Sequence, residues 1–253
     1  MDLHLRNKVA LVTGASQGLG AAVCLGLAAE GVRIAVNYRS KPHIALELVE
    51  EIHNKFQVEA VAVEGSVADR TQVGAMFDQV EKQLSAVDIL VNNAAVCPTS
   101  YVNATTQEDW DTTIRTNMNG TFYCCQEMVR RLLNSARQGR IINVSSAAAY
   151  LGSTSGRAHY DASKGGIISF TISLAREVAQ HAIAVNAVAP GLMMTNMTAE
   201  RLEANKDKYL STIPLKRFGD IEEITNVIVF LASDRASYMT GTTVNVSGGL
   251  LMG

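Results

Sequence analysis

Short apolar, β-branched runs alternate with longer stretches of helical period along the whole chain. KVALVTG (8–14) predicts a strand and LGAAVCLGLAAEG (19–31) a helix that stops at Gly31. VRIAVNY (32–38) predicts a second strand, and KPHIALELVEEIHNKF (41–56) a helix with Pro42 in its first turn. A third strand at 58–65, a helix opened by Asp69 and a fourth strand at 87–94 continue the alternation. One long helix is expected over 107–135, a fifth strand over 139–146 and a second long helix over 158–181. A sixth strand (182–191), a polar helical segment (199–209), a helix (221–234) and a last strand (242–249) complete the pattern. Strands that alternate with helices build βαβ units, hence an α/β fold with a central parallel sheet of about seven strands covered on both faces. No linker, repeat or low-complexity stretch interrupts residues 1–253, so one doubly wound domain is expected, with a substrate-covering segment at about 191–213.

Composition agrees with a globular chain that has a substantial core: of 253 residues, 47% are hydrophobic and 18% charged. A net charge of −2 supplies no basic field for nucleic acid. The apolar run Val9–Val12 is too short for a signal-peptide core or a membrane span, and no later run is long enough either. Cys24, Cys97, Cys124 and Cys125 match no zinc spacing, and no metal site is expected. Reduced thiols in the cytoplasm fit this usage. Cys24, Cys124 and Cys125 read as small core fillers, and Cys97 as a pocket-lining residue.

Three stretches carry chemistry. TGASQGLG joins the first strand to the first helix, which places glycines where backbone amides at a helix N-terminus can receive a pyrophosphate. The second strand ends in NYRS, with Arg39 where an acidic residue would grip the ribose of NAD. A guanidinium there binds a 2′-phosphate that a carboxylate would repel, so NADP(H) is favoured over NAD(H). In YDASK, Tyr160 and Lys164 share one helix face, and a cation beside a phenol lowers its pKa.

TGASQGLG, NNAA (92–95), WDTTIRTNMNGTF (110–122), NVSS (143–146), YDASK and PGLMMT (190–195) stand in an order that resembles the short-chain dehydrogenase/reductase family over essentially the full length. NYRS, IPLKRFGDIEEI and FLASDRASYMTG look most like its 3-oxoacyl-[acyl-carrier-protein] reductase-like members. The resemblance implies a Rossmann-type domain with Tyr160 as acid/base, Lys164 tuning it and binding the nicotinamide ribose, and Ser146 bonding the substrate oxygen. It implies that Asn117 helps hold a water linking Lys164 to solvent. Gly14, Ser16, Gln17, Gly18, Leu19 and Gly20 would cradle the cofactor, with Tyr38, Arg39 and Ser40 at its phosphate end. Ser66 and Val67 would lie at the adenine; Asn93, Ala94 and Ala95 beside the adjoining ribose; Pro190, Gly191, Met193 and Thr195 on the nicotinamide.

There are departures. Ala95 stands where the family usually has glycine, Ser66 where an acidic residue is common, and Gln17 where many NADPH-dependent relatives carry a base. One extra residue separates Ser146 from Tyr160, which leaves Ser145 as the alternative. His159 is expected to be solvated or to line the pocket, and Met193, Met194 and Met197 to form a pliable lid. The expected activity is NADPH-dependent reduction of a medium-sized ketone, such as a 3-oxoacyl compound. The alternatives are an NAD-dependent alcohol, polyol or sugar dehydrogenase and a non-catalytic nucleotide-binding scaffold. The family resemblance implies a homotetramer or homodimer, and both long helical stretches are apolar on more than one side.

Overall fold

Every residue of β1 (Val9–Val12), β4 (Ile89–Asn92) and β6 (Ile183–Pro190) is buried in the computed structural model, which describes residues 2–194 and 198–252. Strands covered on both faces read as continuous apolar runs rather than alternating ones. With β2 (Arg33–Tyr38), β3 (Ala60–Glu64), β5 (Gly139–Val144) and β7 (Thr243–Val246) they form one seven-stranded sheet of order β3-β2-β1-β4-β5-β6-β7. All pairings are parallel, with Val12 level with both Val36 and Val91. The order reverses between β1 and β4, and a crevice opens at their carboxyl ends.

The pleat divides the core. Ala10, Val12, Ile34, Val36, Ile89 and Val91 face a layer built by α1 (Gly18–Ala29), α2 (Pro42–Phe56) and α10 (Ile221–Ala232). Val9, Leu11, Ala35, Leu90 and Ile141 face the opposite layer of α3 (Arg70–Gln83), α5 (Gly120–Asn134) and α7 (Ala158–Val178). Between α3 and α5 lies the short α4 (Gln107–Thr113). Of three brief helices, α6 (Ala148–Leu151), α8 (Ala199–Ala204) and α9 (Lys206–Thr212), the first and last contribute residues to the crevice wall. Asp69 caps α3 by accepting from the amides of Thr71 (2.8 Å) and Gln72 (3.2 Å), which satisfies donors the helix cannot reach. Cys24, Cys124 and Cys125 fill the core as expected.

Two elements depart from the sequence pattern. The helix expected over 107–135 is broken: Ile114–Asn119 forms a π turn between α4 and α5. Hydrophobic period sees a continuous apolar face and is blind to one extra residue in a turn. The expected loop after β5 winds into α6, too short for its period to register. No described helix is long and apolar enough to cross a membrane.

Candidate active site

The turn after β1 is shaped by two glycines in left-handed backbone, Gly14 (φ +58°) and Gly18 (φ +60°). A Cβ on Gly14 would lie 2.8 Å from Ala94 Cα, so the turn presses directly on the loop after β4. Asn93 locks that contact, its Nδ2 donating to the carbonyls of Thr13 and Gly14 at 3.0 Å each. The Gly14 amide donates to Asn37 Oδ1 at 3.0 Å. Around Gly18 a Cβ would meet nothing within 4 Å. Gly20 corrects an expectation: it does not face the cavity, and a Cβ there would come within 2.6 Å of Asn93 Nδ2 and 2.8 Å of Ala15 Cα. Its work is to let α1 sit against the strand ends.

A cavity of about 890 Å³ runs from this turn along the carboxyl ends of the strands. Gly14, Ser16, Gln17, Gly18 and Leu19 line one end together with Tyr38, Arg39 and Ser40. Ser66, Val67, Asn93, Ala94 and Ala95 line the middle, and Ser146, Tyr160, Lys164, Pro190, Gly191 and Met193 the far end. Thr195 and Met197 lie outside the described residues. The cavity, the open glycine turn and the exposed Arg39, which has no ion pair among the described residues, fit an elongated dinucleotide. Sequence reasoning passed over Lys41, a second cation beside Arg39. It also passed over Leu250, brought in from the C-terminal end, and it did not single out Arg157.

At the far end, β5 delivers a pair of serines and α7 a phenol and an ammonium. Ser145 is spent on structure: its Oγ donates to the Lys164 carbonyl at 2.8 Å, and its amide to Val188 O. Ser146 instead lies at the phenol of Tyr160, where its hydroxyl stabilises the ionised form. The geometry thus separates the two serines that spacing left open.

Burial outweighs that help and pushes Tyr160 up to about 12, with further upward pressure from Cys97 and Asp161 and downward pull from Ser146 and Arg157. The expectation that Lys164 acidifies the phenol does not hold for the protein alone. The Lys164 ammonium sits 5.6 Å from the Tyr160 ring centre and donates to the Val144 carbonyl at 2.7 Å. A buried ammonium needs an acceptor, and the strand-end carbonyl supplies it. The same burial pushes Lys164 down to about 8.

This shift makes stability depend on pH. A lysine whose pKa falls from 10.5 to about 8 on folding binds fewer protons folded than unfolded between those values. The ligand-free protein should therefore gain stability as pH rises from 8 toward 10.5, by at most about 3 kcal/mol at about 1.36 kcal/mol per unit. Below pH 8 the cost of the buried cation is fully present. Denaturant melts of the wild type and Lys164→Met across this window check it, and the variant should lose this rise. Parallel curves for the two proteins would place the titration elsewhere.

Asn117 lies in the π turn, fully buried and away from the cavity wall. Its Oδ1 accepts from the Val96 amide at 2.8 Å, and its Nδ2 donates to Val96 O at 2.9 Å and Ser163 Oγ at 3.0 Å. The side chain thereby ties the loop after β4 to α7: both Nδ2 protons are taken, and one Oδ1 lone pair stays open. The π turn is what directs it there. His159 also differs from expectation: it is buried, and its Nε2 meets Pro98 O at 3.1 Å. Cys97 lines the cavity as expected, and Met193 lines it too.

A family model described as Enoyl-(Acyl carrier protein) reductase matches residues 14–251. A 3-oxoacyl-[acyl-carrier-protein] reductase of Staphylococcus epidermidis is 44% identical over 97% of this chain and 100% of its own length. One from Aquifex aeolicus is 39% identical over 99% of this chain and 100% of its length. Among solved structures, a putative short-chain alcohol dehydrogenase from Sinorhizobium meliloti superposes with a TM-score of 0.93 at 36% identity, covering 99% of this chain and 98% of that one. A putative 2-deoxy-D-gluconate 3-dehydrogenase from Agrobacterium tumefaciens, with bound NADP, gives 0.89 at 34% identity, covering 98% of each chain.

Proposed function

The chain belongs to the short-chain dehydrogenase/reductase family of NAD(P)-dependent oxidoreductases, and on that premise we propose that it uses NADPH to reduce a 3-oxoacyl-type ketone to the secondary alcohol. One observation carries the reading: a half-buried phenol, a serine hydroxyl and a buried ammonium meet in a cavity continuous with an open glycine turn. The acyl class rests on the names of the Staphylococcus and Aquifex relatives.

The glycine turn would hold the pyrophosphate, Arg39 and Lys41 the 2′-phosphate, and Lys164 the nicotinamide ribose. Ser66 and Val67 would border the adenine, Asn93, Ala94 and Ala95 its ribose, and Pro190, Gly191, Met193 and Thr195 the nicotinamide. When bound, the cofactor supplies the hydride. Tyr160 donates the proton that the new alkoxide takes up, and Ser146 bonds the same oxygen as charge develops on it. A phenol held near 12 stays protonated at physiological pH, so it stands ready as a donor, which is the reductive direction. Asn117 acts at a distance by fixing Ser163 and the Val96 loop. Exposed Phe122 on α5 and Ile172 on α7 support pairing of these helices between subunits, toward a homotetramer or homodimer. A cytoplasmic setting fits the soluble substrate and the reduced cysteines.

A spectrophotometric screen of acetoacetyl thioesters and simple ketones with NADPH and NADH tests the activity. Consumption of NADPH in preference to NADH is expected, and no consumption of either cofactor with any carbonyl would overturn the reading. Arg39→Asp should cut the NADPH-to-NADH ratio of kcat/KM by tenfold or more. It removes a charge-assisted bond worth about 1.5–3 kcal/mol and adds repulsion of the phosphate. An unchanged ratio would assign the phosphate to another group, with Lys41 the first to examine.

A further inference from the structure

The charges lining the cavity are of one sign. Arg39, Lys41, Arg157, Lys164 and Lys208 line it, and no aspartate or glutamate among the described residues does, in a chain whose net charge is −2. Arg39 and Lys41 follow β2, and Lys164 belongs to the catalytic cluster. Arg157 and Lys208 remain without a task in the cofactor reading. Arg157 stands just before α7, three residues ahead of Tyr160, and close enough to act electrostatically on its phenol. The ends of β2 and β5 are three strand spacings apart, about 14 Å at about 4.8 Å each. A phosphate held at Arg39 therefore leaves Arg157 to a different group.

The placement of Arg157 is costly unless something answers it. A guanidinium at the N-terminus of the 21-residue α7 sits at the positive end of the helix dipole. Its Nε is buried and has no hydrogen-bond partner. The nearest acid in sequence, Asp161, accepts instead from Ser153 Oγ at 3.0 Å. Arg157 as a whole is only half-buried, so the cost falls on that one N–H rather than on the full charge, and an anion in the cavity would relieve it together with the unfavourable dipole contact.

We propose that Arg157 determines substrate specificity by binding a carboxylate carried close to the ketone, so that the preferred substrate is a free oxo acid rather than its neutral ester or thioester. The inference rests on the reductase reading and replaces the carrier-bound acyl group named for the relatives with the free acid. Proximity to Tyr160 sets the distance: the carboxylate must lie a few bonds from the carbonyl that takes the proton. The phosphodiester of a carrier arm, at the far end of a long chain from its thioester, does not meet that condition. Lys208, on α9 over the same cavity, adds attraction at the mouth.

The test compares acetoacetate with ethyl acetoacetate and acetoacetyl-N-acetylcysteamine, which share the ketone and lack the charge. Affinity for the enzyme–NADP⁺ complex and kcat/KM with NADPH are both measured, for the wild type, Arg157→Gln and Arg157→Lys. The free acid should bind at least tenfold more tightly than either neutral compound. Arg157→Gln should erase that ratio, and Arg157→Lys should restore part of it, with NADPH affinity within twofold of wild type in both. Equal affinity for acid and ester in the wild type, or an acid preference that survives Arg157→Gln, would overturn the proposal. Tight acid binding without turnover of any of the three would support the carboxylate site and count against the reductase reading. Brisk turnover of the neutral thioester with no acid preference would do the reverse.

Discussion

Tyr160→Phe should lower kcat by about 10²- to 10⁴-fold, the usual worth of a positioned proton donor, with NADPH binding close to wild type. The substitution removes one hydroxyl from a half-buried ring and leaves the ring packing in place. It also removes the hydroxyl that Ser146 faces, but not the Lys164–Val144 bond of 2.7 Å or the glycine turn, so the cofactor cradle is untouched. Single-turnover kinetics with a ketone, alongside fluorescence titration of NADPH, separate the two quantities. Turnover within tenfold of wild type would take the phenol out of the proton path. Because burial holds Tyr160 near 12, the wild-type reduction rate should also show no loss from phenol ionisation below pH 10.

Ser146→Ala should cost about 10²- to 10³-fold in kcat, in line with removal of a donor aimed at developing negative charge. Its neighbour provides the control. Ser145→Ala removes a buried donor to the Lys164 carbonyl, leaving that acceptor with one partner fewer, and should cost about 1–3 kcal/mol of stability. Its kcat should stay within a few-fold of wild type, because Ser145 does not face the phenol. The measurement is a crossed one: denaturant midpoints and kcat for both variants. A Ser145 variant that is stable but slow, with an active Ser146 variant, would exchange the two assignments.

Much of the fold is legible in the residue pattern because fully buried parallel strands leave unbroken apolar runs, and βαβ order leaves few topologies. The glycine turn is legible for a similar local reason: Gly14 and Gly18 are needed where the backbone turns left-handed. Gly20 belongs to the same motif, yet its requirement comes from contacts with Ala15 and Asn93, and the latter is distant in sequence. Asn117 shows the limit most clearly. Its identity can be picked from a motif, but the π turn that aims it at Val96 and Ser163 leaves no mark on hydrophobic period.

The amino-acid sequence by itself determined the layered α/β architecture, the dinucleotide turn and the Tyr160–Lys164 pairing, since each depends on local period, local backbone conformation or a spacing of one helical turn. Tertiary structure alone decided which serine meets the phenol, where the lysine's proton goes and that Arg157 Nε has no partner among the described residues. Those outcomes depend on burial and on groups that come together from β5, α7 and the loops around them. Desolvation is a property of the assembled interior, and no linear pattern of residues states it.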